Sequence, residues 1–188
     1  MDDSRTTRRG FIGAAGAAAA VGASVPSAMG DAAGGRDAVF QLNYAPHFGM
    51  FNAVSGDDHL DQIRYAHDQG FRAWEDNGMP GRSAEEQSRI GDELRRLGMT
   101  MGVFVSEADF GRETLVLPPD QIRDHLENRM ESAIEVAKRC GATWTTVVPG
   151  RYSQRTAPDF QTANCIENLK FCAGLLEPHG LVMVLEPL

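Results

Sequence analysis

Four times in this chain of 188 residues a stretch with helical periodicity ends, a glycine follows, and an apolar strand-like run begins at once. The glycines are Gly70, Gly98, Gly141 and Gly180, and the runs they introduce cover 71–74, 99–105, 143–148 and 181–185. Each run then empties into a polar loop at its other end. Short helix-to-strand turns alternating with longer strand-to-helix loops are the pattern of βα units, which give parallel strands joined by right-handed crossovers. A further alternating segment at 39–44, Val-Phe-Gln-Leu-Asn-Tyr, reads as the first strand. The expectation is five strands and four helices.

The helices have their own signals. Asp57 and Asp58 stand where a cap belongs for the helix that runs to Gly70, and Ser83 with Glu86 three residues on forms a capping box. Ile122, Leu126, Met130, Ala133, Ile134 and Ala137 recur at helical spacing along a third helix, and a fourth spans about 158–176. No linker divides residues 39–188, which read as one domain. Residues 29–38, small, polar and glycine-rich, read as a flexible lead-in.

The final stretch, Leu-Val-Met-Val-Leu-Glu-Pro-Leu, is a buried strand of five apolar residues ending in Glu186 and Pro187. Such a run fits a strand covered on both faces. A doubly wound sheet of five strands should close on a covering helix, whereas a (β/α)8 barrel needs eight strands. The expected fold is therefore α/β, a truncated TIM barrel over 39–188, with a doubly wound parallel sheet as the alternative.

Residues 1–28 have a basic start with Arg8-Arg9 and Phe11, an Ala/Gly-rich weakly apolar middle, and Pro26-Ser27-Ala28 at the end. This is the form of a secretory signal of the twin-arginine type, cleaved near Ala28 and directing export to the periplasm or beyond. A disordered tail and a membrane anchor are the other readings; the run is short for a span, which needs about 20 apolar residues, so no stable span is expected once the signal is cleaved. The net charge of −8 becomes one unit more negative without this segment, which contains three arginines and two aspartates. That balance argues against nonspecific binding to nucleic acid or anionic membrane. The three cysteines, Cys140, Cys165 and Cys172, form no CxxC pair. Cys165 and Cys172 lie two helical turns apart, about 10 Å by rise, too far for a disulfide. All three read as core thiols.

Strand tips are where α/β proteins place chemistry. Glu186 at the tip of the last strand is the leading candidate for catalysis and metal ligation, because a carboxylate at a buried strand's exit is costly unless paired or bound to a hard cation. Glu75 follows the second strand as a substrate contact or a solvated loop acid. His47, in the Pro-His-Phe-Gly loop, can hydrogen-bond a substrate oxygen or be an ordinary surface residue. Arg151 can meet a carboxylate or phosphate, or pair with Glu107 or Asp109. Trp144 reads as packed against helices. His59, His67, His125 and His179 fall on helices or in a helix-to-strand turn, away from the chemistry, and no glycine-rich phosphate loop is present.

Glu186-Pro187-Leu188 closing a hydrophobic strand, Gly70-Phe71-Arg72-Ala73-Trp74-Glu75, and the Asn168-Leu169 helix leading into Glu177-Pro178-His179-Gly180 together resemble the hydroxypyruvate isomerase-like group of the xylose isomerase-like TIM barrels. The resemblance covers roughly residues 39–188. It implies a metal-dependent isomerase or epimerase of a small sugar or hydroxy-carbonyl compound. It further implies a divalent ion (Mg, Mn or Zn) held by side chains of the last four strands, with Glu186 at the first of those positions and the remaining ligands beyond residue 188. Glu75 and Arg151 match active-face positions of the group. The His that often ends the third strand is absent, since 103–106 reads Val-Phe-Val-Ser. The chain alone is expected to be inactive, its open strand edges inviting pairing with a second copy. The rival expectation is a non-catalytic carbohydrate-binding protein built on a degenerate barrel.

Overall fold

The computed structural model describes residues 40–187; the segments expected to be an export signal and a flexible lead-in lie outside the described residues. Among them the loop expected over 45–56 contains one helical turn, α1 (Asn52–Ser55). Asp58 accepts hydrogen bonds from the backbone N–H groups of Leu60 and Asp61 at 2.9 and 3.1 Å and starts α2 (His59–Asp68). Ser83 accepts from the Glu86 N–H at 3.2 Å and starts α3 (Ala84–Arg96). Each such cap is worth about 1 kcal/mol. The reciprocal half of the capping box is not made, because the Glu86 carboxylate turns instead to His59 Nδ1 at 2.5 Å.

Five short strands follow the expected order: β1 (Ala73–Trp74), β2 (Thr100–Met101), β3 (Val105–Glu107), β4 (Trp144–Val147) and β5 (Val182–Leu185). β1 pairs with β2, β3 with β4, and β4 with β5, all parallel. They are not quite the five strands read from the sequence. The run at 99–105 is divided: it pairs with β1, leaves the ladder over 102–104, and re-forms beside β4. Across the gap the Gly102 N–H still donates to Trp74 O at 2.7 Å. The segment 40–46 forms no strand, and Phe40, Leu42 and Tyr44 are exposed. Its link to the sheet is a single parallel bridge, His47 to Glu75, plus a few backbone hydrogen bonds. Alternation marks a segment as able to be a strand, but a ladder needs an edge to pair with, and β1 offers only two residues.

Two longer helices complete the fold, α4 (Pro119–Cys140) and α5 (Pro158–Leu176), and α4 packs on both α3 and α5. Gly141, at φ +77°, closes α4 in the left-handed conformation that glycine adopts without steric cost. Between helices and sheet lies a core of Ile90, Leu94, Leu126, Met130, Val147, Cys172 and Leu176. Strands that pair in chain order through crossovers of one hand place their helices on one face of the sheet. On the opposite face Trp144 and Val182, partners in the β4–β5 register, are 49% and 48% exposed, while Ser106 and Thr146 are buried. Trp144 therefore does not pack against helices; Thr145 and Val147, buried, alternate with it and take the other face of the strand. A doubly wound sheet reverses its strand order and covers both faces, so the architecture is that of a partial barrel.

Glu93 illustrates how α3 is tied to α2. Its carboxylate, 8% exposed, accepts from Arg96 Nε and Nη2 at 2.8 and 2.6 Å and from Arg64 Nε at 2.6 Å. These arginines, Arg96 foremost and against the opposing effect of burial, hold its pKa at about 2. A depressed carboxylate pKa contributes stability above the unfolded value and loses it as pH falls through the folded one. Both arginines are well exposed, which reduces the gain to on the order of 1 kcal/mol. In urea titrations the deficit of Glu93→Gln relative to the parent is expected to be full near neutral pH, to narrow below 4.5, and to vanish by about 2.

Candidate functional site

At the exit of β1 the bridge brings His47 beside Glu75, whose N–H donates to Pro46 O at 3.0 Å. The acid that is anchored here is the next residue. Asp76 is buried, accepts from Arg82 Nε at 2.5 Å and from the Gly78 N–H at 3.1 Å, and is thereby neutralised. The Arg82 guanidinium lies 4.7 Å over the ring of Phe48. A cavity of about 310 Å³ opens between His47, Phe48, Asp76 and Arg82.

The exit of β3 holds the most deeply buried carboxylate of the strand tips, and sequence reasoning gave it no role of its own. The Glu107 side chain is 3% exposed and accepts from His125 Nε2 at 3.0 Å and Arg129 Nε at 3.1 Å, both on α4. His125, assigned no role from the sequence, is thus one of two partly exposed partners of a buried acid. The available signal was spacing: His125 and Arg129 are four apart, on one helix face. Their engagement faces Glu107 toward the helix layer, which makes it a structural group.

Arg151 leaves the exit of β4. Its guanidinium pairs with neither Glu107 nor Asp109: the first is held by α4, and the second accepts from Arg112 Nε at 2.6 Å. Glu186 sits one step past β5, its N–H donating to Val147 O at 3.0 Å and its side chain exposed. The structure thus joins His47 to Glu75 and sets Glu186 beside the end of β4, the strand that leads to Arg151. No hydrogen bond or ion pair among the described residues links one pair to the other.

Among the described residues no group of three His, Cys, Asp or Glu side chains is placed to hold a metal ion. Glu186 by itself does not fit one, since hard divalent ions take six or more oxygen ligands. The cysteines are free thiols, and burial raises their pKa, Cys172 to about 11 with help from the Glu107 charge. They are not poised nucleophiles.

A sequential parallel βα series with its helices on one face and its ionisable side chains issuing from the strand tips defines a barrel-type α/β protein. The model of the xylose isomerase-like TIM barrel family matches residues 63–188, and the chain belongs to that family. No curated protein sequence matches it significantly. Among solved structures it is similar to an AP endonuclease, family 2, from Brucella melitensis, at 21% identity and TM-score 0.59, over 77% of this chain and 54% of that one. It is also similar to D-psicose 3-epimerase in the presence of D-fructose, at 12% identity and TM-score 0.54, over 75% and 48% of the two chains. A third is the IOLI protein with a bound zinc atom, at 12% identity and TM-score 0.55, over 76% and 51%. At such identities the likeness is one of fold, and the chain spans about half the length of these structures.

Proposed function

We propose that the protein is an isomerase or epimerase of a small sugar or hydroxy-carbonyl compound, of the hydroxypyruvate isomerase-like kind, with substrate lying across the C-terminal ends of β4 and β5. The reading rests on Glu186. Its backbone extends the β4–β5 ladder by one hydrogen bond, and its exposed carboxylate stands at the strand tip without a partner among the described residues. A carboxylate so placed takes a proton from the carbon next to a carbonyl and returns it to the neighbouring carbon. Arg151 supplies a charged donor to a substrate oxygen, and Glu75 with His47 offers hydrogen bonds to hydroxyl groups. Family membership, an epimerase among the fold neighbours, and a zinc-holding one all support this. A divalent ion belongs to the proposal, with Glu186 as one ligand.

The test uses the natural gene product that carries this chain, incubated in D2O with small ketoses and hydroxy-aldehydes and with Mg, Mn or Zn, and followed by NMR. Deuterium is expected at the carbon next to the carbonyl, and Glu186→Gln is expected to slow its entry by about a hundredfold or more. Undiminished exchange in Glu186→Gln, or sugar binding with no exchange at all, overturns the proposal; the second result establishes the carbohydrate-binding reading in its place.

A further inference from the structure

We infer that the cleft between the loops that follow β3 and β4 is a preformed seat for a compact oxyanion, the phosphate or carboxylate group of a small molecule. The cleft has a volume of about 740 Å³ and is lined by Arg112, Arg151 and Arg155, with Glu113, Gln121 and Gln154 beside them. Elsewhere Arg64, Arg82, Arg96 and Arg129 each meet a carboxylate, Arg72 donates to the carbonyls of His67 and Phe71, and Arg123 lies over the Phe171 ring. Here only Arg112 meets a carboxylate, that of Asp109; Arg151 and Arg155 share the concavity with no acidic partner among the described residues. In a chain of net charge −8 this is a local positive excess. Guanidinium groups that line one cleft without a carboxylate partner are stabilised by an anion placed between them. Glu113 and Asp109 limit the excess to one charge. That suits a small anion and not a nucleic acid, which needs an extended basic surface.

The walls are built before any ligand arrives. The Arg151 N–H donates to Arg112 O at 2.9 Å, and Thr114 Oγ1 donates to Pro149 O at 3.0 Å. Gly150 between them has φ +79°, and a Cβ there would lie 2.2 Å from Thr114 Oγ1, so only glycine lets the two loops close on each other. Three amide side chains on α5 then fasten both loops. Gln161, buried, accepts from the Ser153 N–H at 2.6 Å and donates to Ser153 O and Thr156 O at 2.9 and 2.6 Å. Asn164 donates to Val116 O at 3.0 Å, and Asn168, fully buried, donates to Leu115 O and Leu117 O at 2.9 Å each. Residues 161, 164 and 168 lie on one face of the helix. Loops secured in this way leave the arginine side chains, and not the loop backbone, to be ordered on binding, which favours affinity.

This inference rests on the strand tips being the substrate face, but binding needs no turnover and is measured apart from proton exchange. The full chain is titrated with inorganic phosphate and, in a second arm, with glycolate, at constant ionic strength, with thermal shift and phosphorus NMR line width as readouts. Saturable binding of either at millimolar concentration is expected, and which of the two binds tighter names the group. Arg151→Ala is expected to weaken it about tenfold, and the Arg151→Ala/Arg155→Ala pair further. Arg89→Ala, which removes a charge from the exposed face of α3, should leave it unchanged. No saturation in either arm, an equal loss in Arg89→Ala, or displacement by a short oligonucleotide bound more tightly than phosphate overturns the inference.

Discussion

Gly91→Ala is expected to lower the free energy of unfolding by about 3 kcal/mol, at the upper end of what overpacking a well-filled core costs. α3 passes α4 so closely that a Cβ on residue 91 would lie 2.3 Å from Arg139 O, 2.8 Å from Cys140 Cα and 3.0 Å from Cys140 C. All three are backbone atoms, so no side-chain rotation relieves the clash. The helices must separate, and Ile90 and Leu94, both buried, lose dispersion contacts as they do. Alanine's better helix propensity works the other way, but by only about 1 kcal/mol. Gly174 on α5 provides the control. Nothing lies within 4 Å of a Cβ built there, so Gly174→Ala is expected to stabilise by about 0.5–1 kcal/mol. Urea midpoints at unchanged slope measure both. Shifts of the same sign would mean that propensity, not helix contact, governs these two sites.

The second large effect concerns Glu107. Removing its two partners together, with Arg129→Met and His125→Leu, is expected to cost about 3–5 kcal/mol, because a carboxylate 3% exposed is then left charged and unpaired. Removing the charge itself costs less. Glu107→Gln keeps the shape and an acceptor for Arg129, and its expected cost is about 1 kcal/mol. His125 and Arg129 are 35% and 39% exposed and can turn toward water when the acid is gone. The ordering is therefore asymmetric: the exposed partners matter more than the buried acid they serve. The triple variant, with Glu107→Gln added to the other two, should regain most of the loss. A Glu107→Gln cost exceeding that of the double variant would show that the ion pairs add net stability beyond repaying burial of the charge.

The βα order, the caps at Asp58 and Ser83, and the span of α5 were all readable without coordinates, and so was the choice of a barrel. The first strand was not. The segment around Phe40, Leu42 and Tyr44 carries the alternation of a strand, yet only a short β1 lies beside it. The break in the run at 99–105 had one local signal, Gly102, but the change of partner from β1 to β4 that occurs there did not. In the candidate site the strand tips could be located from sequence. Which acid is sequestered could not: Asp76 and Glu107 are buried in ion pairs, while Glu75 is half-buried and Glu186 exposed.

Capping, helical and strand periods, and turn glycines act over a few residues, so they are encoded by neighbours along the chain and can be read there. Ion pairs and close approaches are set by distance in space. Glu107 meets Arg129 across 22 residues, Asn168 reaches Leu115 across 53, and the two glycines of α3 and α5 differ only in what a neighbouring helix places against them. Folding, and nothing local, chose those partners.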